Sequence, residues 1–423
     1  MTTAIVRPFR ADGTIRAPPS KSYTHRALVV AHLSGRRCVV QYPLDADDTR
    51  TTAHALEKLG SRVVRRKDLW VVTPSPSHPA RARTIDCAES GTTLRFVAAL
   101  AARERAPMRF TGRGRLPARP MEDLLSALVT LGATVQRPPG RRTLPITVRG
   151  PIHSGAVRLD ASKSSQFASA LLLTLPSLPG ASSLRLRGKI VSEPYLEATL
   201  AVLRRCGVRL TRAGREFRVV GPQQYRARRL VVPGDASSAA YLWAAAAITG
   251  GRVAIQGISS GWPQADLAVL GLLRAAGARV RAGPQEITVQ GAKLRGFRVD
   301  LTSSPDLYPL AGAIAAAIPA ESYLYGAAHV VLKESDRRAG TAHLAAAMGA
   351  RVRSKDGGLR IRGRARPLAL HLERLTDHRM VMSAAVGALA ADAPSRIGDA
   401  RAVRKSFPTF WTTLRELEAR SGR

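Results

Sequence analysis

The sequence predicts an α/β protein of two domains, each built from three copies of one repeat of about 70 residues, and three periodic features predict it. A degenerate "LxxLGxxV" pattern recurs as "LEKLGSRV", "LVTLGATV", "LRRCGVRL", "LRAAGARV" and "AAAMGARV". Its glycines, Gly60, Gly132, Gly207, Gly277 and Gly349, are spaced by 72, 75, 70 and 72 residues. Helical runs rich in Ala and Leu keep the same beat, starting at Ser20, Ser90, Ser164, Asp235, Asp306 and Asp377, at intervals of 70, 74, 71, 71 and 71. Strand-like runs such as "RCVVQYPL", "LWVVTP", "PITVRG" and "FRVVG" fill the gaps.

Within each repeat the elements follow from local chemistry. The first helix opens on Ser or Asp, whose side-chain oxygens satisfy free N–H groups at a helix start. Its Ala, Ser and Gly content lets neighbours approach closely, so it is expected inside its domain. The second helix, for example "DDTRTTAHALEKLG", is amphipathic and charged, so it is expected outside. The glycine that follows stands at C′, where a left-handed residue ends a helix, and a strand comes next. A sixth glycine step falls near Ala419, inside "WTTLRELEAR". The turn "VVPGDASS" lies between repeats three and four and predicts a hinge. "RAPPSKS" is a second hinge if the N-terminal strand belongs to the other domain.

The charge balance is unusual: 66 Lys plus Arg against 30 Asp plus Glu, a formal net charge of +36 over 423 residues. Either the partner is a polyanion, or a few placed cations grip a small anionic ligand. The basic residues are spread along the whole chain without a basic tail or block, which argues against a dedicated nucleic-acid protein. Cys38, Cys87 and Cys206 lack metal-ligand spacing and are expected to be buried, reduced thiols. The N-terminus has no apolar signal segment, and the most apolar runs, "AAYLWAAAAI" and "LAGAIAAAI", are about half a membrane span. A cytoplasmic protein is expected, with no metal site and no membrane span.

Six helix N-termini carry partial positive charge and free donors. If the repeats are related by rotation, the inner helices of each domain point the same way, and two domains enclose a cleft suited to a multiply charged anion. Cations and hydroxyls gather near those starts: Lys21, Ser22 and Arg26; Arg95; Ser164, Ser165 and Gln166; His378 and Arg379. Arg119 in "RLPARPMEDL", Lys333, Glu334, Asp336 and Arg337 in "LKESDRRAG", and Lys405 in "VRKSFPTFW" are further candidates. A plain helix cap at Asp306, and a solvated helix face at Lys333, Glu334 and Arg337, remain open alternatives.

At these residues the chain resembles the 5-enolpyruvylshikimate-3-phosphate (EPSP) synthase family. "PPSKSYTHRAL", "DADDTR", "ESGTTLRF", "LPARPMEDL", "SSQFASALL", "VSEPYLEATL", "PGDASSAAY", "SPDLYPL", "LKESDRR", "DHRMVM" and "RKSFPTF" run in family order to residue 410. The resemblance implies two inside-out α/β domains of three βαβαββ repeats, with an active-site cleft between them. It implies a discontinuous domain, 1–19 plus 234–423, and a continuous one, 20–233, with hinges near 18–21 and 231–235. The implied reaction moves the enolpyruvyl group of phosphoenolpyruvate onto the 5-hydroxyl of shikimate 3-phosphate through a tetrahedral ketal, releasing phosphate. The implied partners are these small substrates alone, bound by a monomer.

Residue by residue, the resemblance makes Asp306 the base at the hydroxyl. Glu334 becomes the acid and base at the methylene carbon, with Lys333 sharing proton transfer and Lys21 touching both substrates. Ser22, Arg26, Ser164, Ser165, Gln166 and Ser192 are implied to hold shikimate 3-phosphate, together with Lys21, Asp306 and Lys333. Gly91, Arg119, Gln166, Arg337, Arg379 and Lys405 are implied to hold phosphoenolpyruvate with Lys21. Gly91 leaves room for a phosphonate analogue, so inhibition by glyphosate is expected.

The chain departs from the common bacterial pattern at Glu89, expected to pair with a cation such as Arg95 or Lys21, and at Pro19, His25, Phe96 and His329. Two other activities fit the sequence less well. An enolpyruvyl transferase acting on UDP-N-acetylglucosamine carries a catalytic Cys near the "RP" motif, and "TGRGRLPARP" has none. An RNA-end-processing protein on a related fold requires aromatics along a basic groove, and aromatics are 5% of the chain.

Overall fold

A computed structural model of the chain describes residues 2–75, 80–137, 139–140 and 143–421. The chain divides into two compact units, Met1–Pro18 with Pro233–Arg423, and Pro19–Val232. Among the described residues there are twelve α-helices: α1 Lys21–Leu33, α2 Asp47–Lys58, α3 Gly91–Ala101, α4 Glu122–Thr130, α5 Ser165–Thr174, α6 Glu193–Arg205, α7 Ala236–Thr249, α8 Ala268–Ala275, α9 Tyr308–Ala316, α10 Arg337–Ala347, α11 His378–Ala388 and α12 Phe410–Ser421.

Each repeat builds one small sheet by one rule. In the second repeat the lead strand, Arg83–Asp86, runs parallel to Met108–Thr111 across α3. The chain then adds a hairpin, Ile146–Arg149 pairing antiparallel with Met108–Thr111 and Thr134–Gln136 lying at the edge. The same order holds in the third, fourth and fifth repeats. Two repeats borrow their lead strand. Arg229–Val231 returns to lie parallel to Cys38–Gln41 in the first, and Gly13–Arg16 lies parallel to Arg252–Gln256 in the fourth. The sixth sheet has three strands, His371–Leu372, Ser395–Ile397 and, antiparallel at its edge, Ala4–Val6.

The odd-numbered helices are the buried ones, as their composition predicts. In α7 every residue from Ala239 to Ala246 is at most 1% exposed. Small residues are required here: a Cβ on Gly312 of α9 would stand 2.1 Å from Thr341 Cγ2 of α10. The Trp243 indole donates to the Ile287 carbonyl at 3.0 Å, anchoring α7 to its sheet. Phe410 packs edge-on against Tyr241 and Phe407, tying α12 to the same core.

The repeat glycines do what their spacing predicts. Gly60, Gly132, Gly207, Gly277 and Gly349 have φ of 101°, 106°, 73°, 102° and 84°. After α4 both bonds of a Schellman motif form, Gly132 N–H to Val129 and Ala133 N–H to Leu128. At the other marker the structure corrects two positions. Ser90, Ser164, Asp235 and Asp377 cap their helices through their side chains, but Ser20 makes no such bond. Asp306 is not a cap at all: it lies within a 3-10 turn, Pro305–Leu307, ahead of α9, and its carboxylate is taken by cations.

Candidate active site

In the first unit, the starts of α9, α10 and α11 bring charged groups into one cluster around Arg337. This side chain is 1% exposed. Its Nη1 donates to Asp306 Oδ1 at 2.6 Å, its Nη2 to Glu334 Oε2 at 2.8 Å and its Nε to Asp377 Oδ2 at 2.8 Å. Arg379 Nη2 reaches the other oxygen of Asp306 at 2.8 Å, and Lys333 Nζ stands 3.7 Å from Asp306 Oδ1. Ser335 Oγ donates to Asp377 Oδ2 at 2.9 Å. Arginine suits such a hub because its planar fork serves several carboxylates at once.

Electrostatics follow from that crowding. Burial alone would raise the Asp306 carboxyl, but Arg379, Lys333 and Arg337 hold it well below the usual range. Burial likewise opposes ionisation of Asp377, and Arg337 overrides it, leaving that carboxyl lowered. The Tyr241 phenol is pushed up to about 12, by burial first, with Arg379 and Arg337 opposing. Lys405 ends a 3-10 helix, Ala400–Lys405, that packs on α11. His329 is buried in another, Ala328–Leu332.

In the second unit Arg26 and Arg95 donate to neutral groups. Arg26, 2% exposed, donates to Thr199 Oγ1 at 2.8 Å, the Ser22 carbonyl at 2.9 Å and the Tyr195 carbonyl at 2.8 Å. Its guanidinium lies 5.5 Å from the Phe96 ring centre. Burial lowers it to about 10, still cationic at neutral pH. Arg95 donates to Gln166 Oε1 at 2.6 Å and to the Pro120 carbonyl at 3.0 Å, and Gln166 donates to Thr92 Oγ1 at 3.0 Å. Ser164 caps α5, Ser165 opens it, and Ser192 precedes α6 with φ 57°. Arg119 is buried against Gly91, where a Cβ would meet its Cζ at 2.8 Å. Lys21 pairs with Asp48 at 3.0 Å.

The structure therefore joins Asp306, Lys333, Glu334, Arg337 and Arg379 in one cluster, and Gly91 with Arg119 in a second place. The Glu89 carboxylate lies against Gly114. Four groups escaped the sequence reading. Asp48 sat inside a recognised segment, "DADDTR", as the second residue of α2, where its sequence alone does not tell it from its exposed neighbour Asp47. Asp377 was visible only as a cap, and Tyr241 and Asp266 carried no motif signal. The three cysteines are buried, and burial raises each thiol. Among the described residues there is no cluster of three or more His, Cys, Asp or Glu that would hold a metal, and no helix is long and apolar enough to cross a membrane.

Two solved structures resemble this architecture over almost their full length. EPSP synthase from Acinetobacter baumannii aligns with a TM-score of 0.81 at 24% identity, covering 99% of this chain and 98% of that one. The enolpyruvyl transferase NikO from Streptomyces tendae gives 0.78 at 17% identity, covering 98% and 96%. The fold is that of the enolpyruvyl transferases. Sequence narrows the class: the family model for EPSP synthase (3-phosphoshikimate 1-carboxyvinyltransferase) matches residues 6–414. The 3-phosphoshikimate 1-carboxyvinyltransferase of Halobacterium salinarum is 39% identical over 425 residues, 98% of this chain and 99% of that one. Its namesake in Methanocorpusculum labreanum is 35% identical over 417 residues, 98% of each. The chain belongs to the EPSP synthase family and is an enzyme.

Proposed function

We propose that the chain transfers the enolpyruvyl group of phosphoenolpyruvate to the 5-hydroxyl of shikimate 3-phosphate, with the two charged clusters as its working parts. The hydroxyl oxygen attacks C2 as its proton passes to Asp306, and C3 takes a proton from Glu334, assisted by Lys333. The resulting ketal collapses when C3 returns a proton and the C2–O bond to phosphate breaks. Lys21, Arg119, Arg337, Arg379, Gln166 and Lys405 hold phosphoenolpyruvate, with Gly91 giving it room. Ser22, Arg26, Ser164, Ser165, Gln166 and Ser192 hold shikimate 3-phosphate, helped by Lys21 and Lys333. The scheme uses no metal or organic cofactor. It has a monomer working on small molecules in the cytoplasm, with neither nucleic acid nor membrane as partner.

The observation that carries the reading is the sharing of Arg337 and Arg379 by Asp306. With both arginines on it, Asp306 is a weak base. A substrate carboxylate that claims the arginines removes two of the three charges stabilising its ionised form, and its basicity rises when the hydroxyl needs a base. Phosphate release by purified protein with both substrates tests the assignment. Lys21→Ala, Asp306→Ala and Glu334→Ala are each expected to lower the rate about 10²–10⁴-fold. Glyphosate at millimolar concentration is expected to inhibit. Three variants turning over like the parent would overturn the residue roles while leaving the family intact.

A further inference from the structure

Asp266 lies outside every motif used so far, yet it is a fully enclosed carboxylate beside the cluster. It sits in a 3-10 turn, Ala265–Leu267, ahead of α8, and is 1% exposed. Oδ2 accepts a short hydrogen bond from Ser237 Oγ of α7 and stands 3.8 Å from Arg379 Nη1 of α11. Oδ1 is buried with no hydrogen-bond partner. Neighbouring contacts fix the turn. Gln264 accepts from Ala236 N–H and donates to the Gly234 carbonyl, both at 2.8 Å, and Ser304 donates to the Ala265 carbonyl at 2.7 Å. Asp266 is therefore held where it is, with one oxygen unsatisfied, an expensive arrangement for a carboxylate and a tolerable one for a carboxylic acid.

The charged groups facing it come from three elements: Arg379 from α11, Asp306 from the turn before α9, and Asp235 from the start of α7. Burial pushes the Asp266 carboxyl up to about 6; Arg379 pulls it down, Asp306 and Asp235 push it up, and the Ser237 bond opposes them. The local balance is already acidic, with Asp266, Asp306, Glu334 and Asp377 against Arg337, Arg379 and Lys333.

We infer that Asp266 takes up a proton from solvent when the anionic substrate settles on Arg379, and so sets how phosphoenolpyruvate binding varies with pH. No bond other than O–H forms. The proton lands on a carboxylate oxygen of Asp266, and the acid so formed removes one negative charge from beside the arriving substrate. Asp266 acts through Arg379 and is a positioning residue, not a catalytic one. The inference rests on Arg379 holding phosphoenolpyruvate.

The test is the KM for phosphoenolpyruvate from pH 5.5 to 8.5 in the parent, Asp266→Asn and Ser237→Ala. The substrate phosphate titrates identically in all three, so it drops out of the ratio of variant to parent. Near pH 5.5 the parent already carries the proton and Asp266→Asn should match it within about twofold. At pH 8.5 the variant should bind more tightly, with KM lower by about fivefold or more, and kcat should move less than KM. Ser237→Ala, which removes a bond favouring the ionised form, should shift the parent profile to higher pH. A variant-to-parent ratio that is the same at every pH, even if uniformly raised, overturns the inference, because it makes Asp266 a fixed prop for Arg379.

Thermal unfolding without substrate gives an independent reading. The raised carboxyl supports the fold at low pH and loses that support as pH rises through 6. The Tm of Asp266→Asn should therefore gain about 2–4 °C on the parent between pH 4 and pH 7, and no gain overturns the titration. Arg379→Ala, run alongside, separates the two layers. It should raise KM more than about tenfold, and an unchanged KM removes the Arg379 assignment and this inference together.

Discussion

The two units differ in what holds their buried candidate cations: carboxylates around Arg337 and Arg379 in the first, a hydroxyl and carbonyls around Arg26 in the second. In the first, Arg337 is shared by three carboxylates and Arg379 lies against two, Asp306 and Asp266. In the second, Arg26 donates to a hydroxyl and to carbonyls, Arg95 to an amide oxygen and a carbonyl, and Lys21 pairs with an acid, Asp48. Arginines on neutral partners keep their whole charge for an incoming anion. Arginines on carboxylates must exchange one anion for another, and the released carboxylate changes its basicity in doing so. In the proposed mechanism proton transfer is the use for such an exchange, with Asp306 and Glu334 in the first cluster and the serines proposed to hold shikimate 3-phosphate in the second unit.

The largest break in this contrast comes from deleting one cation on each side. Arg337→Ala leaves Asp306, Glu334 and Asp377 without their shared partner in a nearly dry site, and should cost about 3–5 kcal/mol of stability at pH 8. The loss should shrink on acidification toward pH 5, because carboxylates stripped of their partner ionise less readily. Lys21→Ala breaks one partly exposed pair, 16% and 8% exposed, and should cost about 1 kcal/mol or less. Chemical denaturation of both variants at two pH values measures the difference. Equal losses would remove the distinction between the clusters.

Acid stability sharpens the contrast from the other side. His25 of α1 is completely buried, with Nδ1 2.7 Å from Thr52 Oγ1 and Thr52 in turn 2.7 Å from Thr93 Oγ1. Burial brings the imidazole down to about 3; Asp48 raises it, and Lys21 and Arg26 lower it further. The unfolded chain takes up this proton near pH 6.5 and the folded one does not. Its contribution is therefore present above pH 6.5 and is lost as pH falls toward 3, at up to about 1.4 kcal/mol per pH unit. His25→Asn should flatten that slope between pH 6 and pH 4 in equilibrium unfolding. A slope identical to that of the parent would show that another group carries the acid sensitivity.

What could be seen before any coordinates divides along the same physical line. Gly60, Gly132, Gly207, Gly277 and Gly349 were legible because a left-handed helix end is decided by one residue and its near neighbours. The buried Ala-rich helices were legible because composition alone says how closely they pack. A plain cap stayed open for Asp306 because Asp before a helix has two fates. The choice was made by Arg337 and Arg379, 31 and 73 residues further along the chain. Asp377 has both fates at once, capping α11 with one oxygen and holding Arg337 with the other. Asp266 was illegible because nothing within its own segment distinguishes it from a surface acid; its partners arrive from α7 and α11. Local rules give backbone, and ion pairing at long range gives the chemistry.

The finest test lies in the second unit, where an arginine lies directly across a glycine. Gly91 opens α3, and Arg119 lies across it so closely that a Cβ there would stand 2.8 Å from both Cζ and Nη1. The backbone at Gly91 is helical, so alanine imposes no strain of its own, and the flexible end of Arg119 is what must yield. Gly91→Ala should therefore leave stability within about 1 kcal/mol while moving the guanidinium by a few tenths of an ångström. A displacement of that size in a substrate-holding cation costs binding more than turnover, so the KM for phosphoenolpyruvate should rise about tenfold with a smaller change in kcat. Gly312→Ala, the same substitution in the first unit, meets Thr341 inside a packed helix pair and should show the reverse, about 1–3 kcal/mol of lost stability with KM unchanged. If Gly91→Ala behaves like Gly312→Ala, Arg119 is a packing residue and the substrate must find its charge elsewhere in the second unit.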